Sequence, residues 1–296
     1  MSVPAGVDVE NALAGRPDLV AAGVGLDLLP AVVSARRRTE GGRWRIACPP
    51  GVVDELGRTF ALGTAIAEAR SRDEIEIRTA GGPRPDRPLF ATSDRVDALA
   101  GPADRRTIVT ETEPDRAAAA HGIATRRFAR ADRTSIRMPD RTGLLAAARD
   151  RLDDRFADDL ATVLDSIDLD PARLDRSAVI DDRTLFVALA ARHDHLFTDV
   201  REWADEVDIV EKQRFADARN ALADRGIIES VRVPIDKGRP NNRLRALDRT
   251  LIRVDPEEFL PALRERVRVA NASDGSDPRG ADSREDDRPV WERRGR

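Results

Sequence analysis

Apolar positions in the first 140 residues follow two rhythms, steps of two and steps of three or four; only the longer one continues immediately afterwards. Leu19, Val20, Val24, Leu28, Leu29, Val32 and Val33 predict one or two helices interrupted near Pro30, and Gly41-Gly42 marks a turn. Trp44 to Cys48 reads as a strand stopped by Pro49-Pro50. Val53, Leu56, Phe60 and Ile66 predict a helix over 52–70, and Ile75 and Ile77 predict a strand within EIEIRT. Beyond the loop GGPRPDRP comes a short apolar run, Leu89-Phe90; Asp94 to Leu99 is expected to be helical and RTIVTET a strand. Pro114 opens an Ala-rich helix expected to end at His121-Gly122, with ATRRF and SIRMP as two further strand candidates. Strands alternating with helices predict an α/β domain over residues 1–140, a mixed or parallel sheet with flanking helices.

Residues 142–167 carry the longest periodic stretch, with Leu145, Ala148, Leu152, Phe156, Leu160, Val163 and Ile167 on one stripe. A long connector helix over 141–170 is expected. It either packs on its own domain or, because the stripe nearly repeats every seven residues, forms a dimer seam. Residues 178–268 change pattern again. A helix capped at Asp181-Asp182 holds Leu185, Phe186 and Leu189, and a short helix capped by Thr198 turns Val200 and Trp203 inward. A third, from Glu211 to Arg225, buries Phe215, Ala218 and Leu222 and ends at Gly226. IIESVRVPI and NNRLRAL then pair across the turn DKGRP, and DPEEFLPALRERVRV forms a closing helix with Asp255 as cap. Three helices followed by a hairpin is the order of a winged helix-turn-helix. Residues 271–296, polar and rich in Gly, Asp and Arg, are expected to be a disordered tail, in which Trp291 has no explanation.

This C-terminal order places specific chemistry. A helix fits the major groove, and its solvent face reads base edges. Opposite the buried stripe stand Gln213, Ala216, Asp217 and Asn220, flanked by Lys212 and Arg214. Gln213 and Asn220 suit bidentate recognition of adenine, and Lys212 and Arg214 can reach phosphate or guanine. The hairpin tip carries Lys237, Gly238, Arg239 and Pro240, followed by Asn241, Asn242, Arg243 and Arg245. Glycine permits close approach to a nucleic-acid backbone, and arginine can enter a narrow minor groove. Arg225 and Arg232 add phosphate-contacting charge.

Composition sharpens this picture. The net charge is −4, yet residues 225–253 hold 8 basic residues against 3 acidic ones, whereas residues 140–182 hold 12 Asp against 6 Arg. A basic segment in an acidic chain points to an anionic partner, most simply double-stranded DNA. Of 50 basic residues only Lys212 and Lys237 are lysines, and Asp outnumbers Glu by 37 to 17. A GC-rich genome, a cytosol of high salt, or both account for that bias. No apolar run is long enough for a membrane helix, and the N-terminus lacks the features of a signal peptide, so a cytoplasmic location is expected.

Enzyme signatures fail one by one. Gly23-Val24-Gly25 lacks the third glycine, and no strand is expected before it; no lysine sits in a phosphate-binding loop. His193 and His195, two apart near a helix end, should not share a face, His121 reads as a helix terminus, and Cys48 fills a core strand. Ser34 and Ser135 have no nucleophile signature around them. No catalytic residue, metal or cofactor is therefore expected. The N-terminal domain reads as a ligand sensor or oligomerisation module. Its candidate pockets lie beyond the strand ends at Pro49-Pro50-Gly51, at Thr79 to Gly82 and at Thr110 to Glu113, with Arg78 and Arg84 available for a sugar phosphate or carboxylate.

VPIDKGRPNNRLRAL, preceded by FVALAARHDHLFTDVREWADEVDIVEKQRFADARNALADRGII, resembles the C-terminal part of the haloarchaeal transcriptional regulators called TbsP; the resemblance covers roughly residues 10–265 and is most specific at VPID-x-GRP. It implies a winged-helix regulator working beside TrmB-type regulators of central carbon metabolism, on glycolytic or gluconeogenic genes. The expected protein is a homodimeric DNA-binding regulator with a small-molecule effector. The alternative is a protein–protein adaptor whose winged helix docks a partner without reading DNA.

Overall fold

A computed structural model describes residues 8–56, 59–81, 87–101, 106–136, 138–167, 169, 180–209, 212–234 and 241–274 of the chain. After a short α1 (Val9–Leu13), strand β1 (Val20–Ala22), helix α2 (Leu29–Arg37), β2 (Trp44–Cys48), α3 (Val52–Leu56), α4 (Phe60–Ser71) and β3 (Ile75–Thr79) form two parallel crossovers. Strands β4 (Leu89–Ala91), β5 (Val96–Ala100) and β6 (Thr107–Glu111) follow as an antiparallel meander beside β1. Helix α5 (Pro114–Arg130) then leads to β7 (Asp132–Arg133) on the far edge of β3. The sheet is mixed, in the order β6-β5-β4-β1-β2-β3-β7.

Strand alternation sorts its side chains onto two faces. Leu19, Ala21, Ile46, Cys48, Ile75 and Ile77 pack with α2 and α4, while Val20, Ala47, Ala91 and Val96 meet Ala117, Ala124 and Phe128 of α5. Burial on both faces hides the alternation that would mark a half-exposed strand. For this reason Leu19-Val20 reads as the start of a helix, yet Val20 opens β1. It also places a strand directly before Gly23-Val24-Gly25; Gly23 N donates to Ala47 O at 2.9 Å, and the third glycine of a dinucleotide loop is still missing. Gly42, at φ 67°, sits where a Cβ would lie 1.9 Å from Pro17 O, so no other residue fits that turn.

Other expectations fail for identifiable reasons. Asp94 to Leu99 is not helical: Val96–Ala100 is β5, its period disguised by Asp97, which is buried beside Arg16 and accepts from Arg95 and Thr110. Helix α5 continues through His121-Gly122 to Arg130, absorbing ATRRF, because Ala117, Ala124 and Phe128 keep one face against the sheet. Glu113 caps it by accepting from Asp115 N and Arg116 N. SIRMP supplies no strand among the described residues; the edge strand is the two-residue β7 just before it.

The stretch expected to be one connector helix is two, α6 (Arg141–Arg151) and α7 (Asp154–Ser166), because Asp153 starts a second helix by accepting from Phe156 N at 2.7 Å. Their apolar stripes are not free seams. Leu144, Ala148, Phe156, Leu160 and Val163 share one core with α8 (Asp182–Arg192), α9 (Phe197–Glu206), α10 (Lys212–Asp224), α11 (Arg249–Arg253) and α12 (Pro256–Asp274). Strands β8 (Ile228–Val233) and β9 (Asn241–Ala246) complete it, with Ile228, Leu244 and Ala246 buried. Asp181 caps α8 as expected, accepting from Thr184 N, but α9 begins at Phe197, so Thr198 lies inside it. Helix α12 packs along α7 and continues to Asp274, past the start of the expected tail; Trp291 and the rest of that tail lie outside the described residues.

Four rings from four helices meet edge to face in this core: Phe60 of α4 on Phe186 at 5.1 Å, Phe186 on Trp203 at 5.1 Å, and Trp203 on Phe156 at 5.4 Å. Phe186→Ala removes the centre of this chain and is expected to cost about 3–5 kcal/mol, read as a lowered urea midpoint. Ile123→Ala, at a position 55% exposed, is expected to stay within about 0.5 kcal/mol of the wild type.

Candidate nucleic-acid interface

Helix α10 buries Phe215, Ala218 and Leu222, and this turns Arg214, Asp217 and Asn220 to solvent. It stops at Gly226, at φ 64°, where Gly226 N donates to Ala223 O and Ile227 N to Leu222 O, the double bond of a glycine-terminated helix. The reversal feeds β8, which pairs with β9 from Ile228↔Ala246 to Val233↔Asn241. A third strand position, missed in the sequence, is supplied by Leu196: it bridges Arg243, and Leu244 N donates to His195 O at 2.9 Å. The segment between α8 and α9 therefore anchors the base of the wing.

The expected contact residues divide between two elements. Lys212 and Gln213 form the first turn of α10, and Lys237 and Arg239 lie outside the described residues. Opposed residues of an antiparallel pair share a face. Arg243 and Arg245 therefore stand with Val231 and Glu229, while Asn242 stands with Arg232 on the opposite face. The hairpin cations do not form a single row. Arg225 is engaged elsewhere, donating to Ala221 O and to Asn271 Oδ1 of α12. Asn241 is tied to the scaffold, its Oδ1 accepting from Thr198 Oγ1 at 2.6 Å.

Two residues of the interface escaped sequence reasoning. Arg219 lies 4.6 Å over the Phe197 ring and donates to Asn220 Oδ1 at 2.8 Å, so the amide meant to read a base is already oriented by its neighbour. Its position four residues after Phe215 was the available signal. Asp194 has φ 64° at a helix end where glycine is favoured, and its carboxylate lies 3.5 Å from Arg243 and 3.4 Å from Arg245. It holds a negative charge against the wing arginines.

His193 and His195, expected to face apart, both turn their rings toward Phe156, at 6.1 and 5.6 Å. His193 Nε2 lies 3.0 Å from Asp159, which also takes Arg192 Nε, and His195 Nε2 lies 3.6 Å from Asp153. Burial lowers the pKa of both rings, and the aspartates oppose it only in part. Cys48 is inert, its thiol pushed up to about 12 by burial. Among the described residues no helix is long and apolar enough to cross a membrane.

Comparison with known families gives two matches: the TbsP-like transcriptional regulator N-terminal domain over residues 7–139 and the TbsP-like C-terminal HTH domain over residues 141–264. No curated protein matches the chain. Among solved structures it is similar to TrmBL2, an archaeal chromatin protein described as showing a novel mode of DNA binding, at 15% identity and a TM-score of 0.33. That match covers 42% of this chain and 48% of that one, so this chain spans about half of that protein's length.

The buried histidines predict an acid limit to stability. With pKa values below their unfolded value near 6.5, the rings bind protons more readily in the unfolded chain. The stability they confer as neutral groups is complete above that pH and falls as the pH drops below it. His193→Gln with His195→Gln is expected to flatten the dependence of Tm on pH just below neutrality. A slope equal to that of the wild type counts against the assignment.

Proposed function

The chain belongs to the TbsP-like transcriptional regulators, and from that premise we propose that its C-terminal winged helix binds double-stranded DNA to regulate transcription. The observation that carries this reading is the pairing of α10, whose outward face holds Arg214 and Asn220, with a basic hairpin braced on the helices beside it. In this reading Asn220, with Gln213 and Arg214, discriminates bases, and Lys212, Lys237, Arg239, Arg243 and Arg245 hold phosphates. Asn241 and Asn242 supply polar contacts next to the tip of the wing. Aspartates 217 and 224 on α10 limit loose attraction to any polyanion, leaving affinity to the wing.

The protein acts as a homodimer in the cytoplasm, on genes of central carbon metabolism. Its N-terminal domain senses a small molecule and has no catalytic role. Leu247, Ile252 and Val269, exposed at 48, 46 and 41%, support self-association around α11 and α12. The Asp-rich, Lys-poor composition supports a working environment of high salt.

Titration of the full chain against promoter fragments and random duplex in molar KCl tests the division of labour. Arg239→Ala and Arg243→Ala are expected to weaken binding equally on all sequences, whereas Asn220→Ala costs about 1–3 kcal/mol on the preferred site and relaxes one base position. Asp194→Asn releases the wing arginines and is expected to tighten binding about two- to fivefold on every sequence, the scale of an exposed ion pair. Equal losses for Asn220→Ala on preferred and random DNA overturn the assignment of bases to α10. No binding to any fragment overturns the whole reading in favour of a protein-docking adaptor.

A further inference from the structure

The cavities described among these residues do not open at the strand ends favoured by sequence reasoning. The most informative one, of about 370 Å³, lies where α2 and α4 of the N-terminal domain meet α6 and α7. Four guanidinium groups line it, Arg36, Arg37, Arg72 and Arg141, against three carboxylates, Glu68, Glu74 and Asp165. Their partners are unequal. Arg36 is buried and saturated by main-chain oxygens, donating to Glu74 O, Thr39 O and Gly42 O. Arg141 binds Asp165 at 2.6 Å and Ala161 O at 2.5 Å, and Arg72 binds Glu68 at 2.5 Å. Glu68 also accepts from Thr142 N at 2.9 Å and Thr142 Oγ1 at 2.8 Å, so its oxygens are fully used. Arg37 has no hydrogen bond or ion pair among the described residues; burial and then the like charge of Arg141, with Arg72 behind it, disfavour its charge, and Asp165 and Glu68 offset this only in part and without contact.

A guanidinium cluster with one member unmatched, opening on a concave space walled by Val33, Ala65 and Leu145, is suited to an anionic head with a short carbon body. The volume is at the lower end of the roughly 300–1,000 Å³ of ligand pockets. A larger cavity of about 650 Å³ beside β3 is a weaker candidate. Its Arg43 and Arg78 are matched by Glu76, Arg78 also stacks on Phe128, and Arg70 is held by Thr134 O; the side chain of Arg133, on the exposed edge strand, makes no bond among the described residues, but neither α6 nor α7 lines this cavity, so a ligand there would touch the N-terminal half alone.

We propose that the cavity between α2, α4 and α6 binds a small organic anion, a phosphomonoester or a carboxylate, with Arg37 as its principal ligand and Arg72 and Arg141 beside it. The bound anion contacts both domains at once and is the effector. The proposal deepens the sensor role given above to the N-terminal half and rests on that role for its regulatory meaning, while binding itself does not depend on DNA.

The test uses the full chain in phosphate-free molar KCl, with inorganic phosphate, glycerol 3-phosphate and succinate as probes and uncharged glycerol as control. At least one anion is expected to raise Tm with concentration, and glycerol is not. Arg37→Gln is expected to leave the unliganded Tm unchanged or slightly raised, since the side chain makes no bond and its charge is crowded by Arg141 and Arg72, and to weaken anion binding by roughly tenfold or more, the scale of one lost charge-assisted hydrogen bond. Arg72→Gln, also exposed, is expected to weaken it independently. No shift with any probe up to about 10 mM, where even millimolar affinity is visible, overturns the proposal, as does an Arg37→Gln protein that binds like the wild type. Promoter binding is measured on the same variants without anion and is expected to be intact. Its loss in the wild-type protein refutes the regulator reading and leaves the anion result standing.

Discussion

The edge-to-face chain of Phe60, Phe186, Trp203 and Phe156 is the contact on which the rest of the molecule hangs. The sequence has only 8 Phe, 3 Trp and no Tyr, and four of these rings are spent at one place. Each comes from a different helix, and each edge-to-face pair adds about 0.5–1.5 kcal/mol beyond its buried area. Trp203 also donates through Nε1 to Leu144 O at 3.3 Å, which locks α6 onto α9. The consequences reach the surface directly. Helix α8, centred on Phe186, is capped by His193 and followed by Asp194 and His195, the residues that meet the wing. Helix α9 begins with Phe197, the ring on which Arg219 rests. Recognition helix and wing are thus positioned by one apolar cluster.

Aspartate does two jobs around that cluster. Asp140, Asp153, Asp181 and Asp248 each accept a main-chain N–H at the start of a helix, where the charge also suits the helix dipole. Asp159, Asp165, Asp97 and Asp194 sit on arginines. Arginines such as Arg16, Arg141 and Arg192 are thereby matched at contact distance. In molar salt the screening length shrinks to about 3 Å, so only contact pairs keep their strength and long-range attraction to DNA fades. Under such conditions any specific recognition has to come from fitted geometry, and the Asn220 held by Arg219 and the wing braced at Leu196 are the fixed elements of this surface.

The legible parts of the fold were those with one wet face. Helix α10 with Phe215, Ala218 and Leu222, strand β3 and strand β9 of the hairpin alternate between buried and more open positions, and their spacing shows it; β2, buried on both faces, was legible instead as a short apolar run stopped by Pro49-Pro50. Strand β1 is buried on both faces and only three residues long, so it carries no period. Asp97 breaks the apolar rhythm of β5 because a buried carboxylate replaces a hydrophobic residue. The break between α6 and α7 was hidden by a seven-residue repeat that spans two helices. At the interface, residue types were legible and their pairings were not. Nothing in HDH tells that Asp194 takes a left-handed backbone and reaches Arg243 and Arg245, because that depends on where the hairpin returns.

The joint between the halves is narrow, and its size bounds what one half can impose on the other. The first turn of α6 is held twice, by its own Asp140 and by Glu68 of α4. Burial alone would raise the Glu68 pKa, but the Thr142 hydrogen bonds and Arg72 hold it below the ordinary carboxylate range. Moving α4 relative to α6 means breaking those bonds together with the Phe60–Phe186 contact. Hydrogen bonds to a charged group are worth about 1.5–3 kcal/mol and a ring pair somewhat less. Two such bonds and the ring pair sum to about 3.5–7.5 kcal/mol, more than the roughly 1–3 kcal/mol that couples distant sites in proteins. A joint of this strength carries the usual coupling of about 5- to 150-fold without parting, so α4 and α6 pass a shift of that size from one core to the other as a unit.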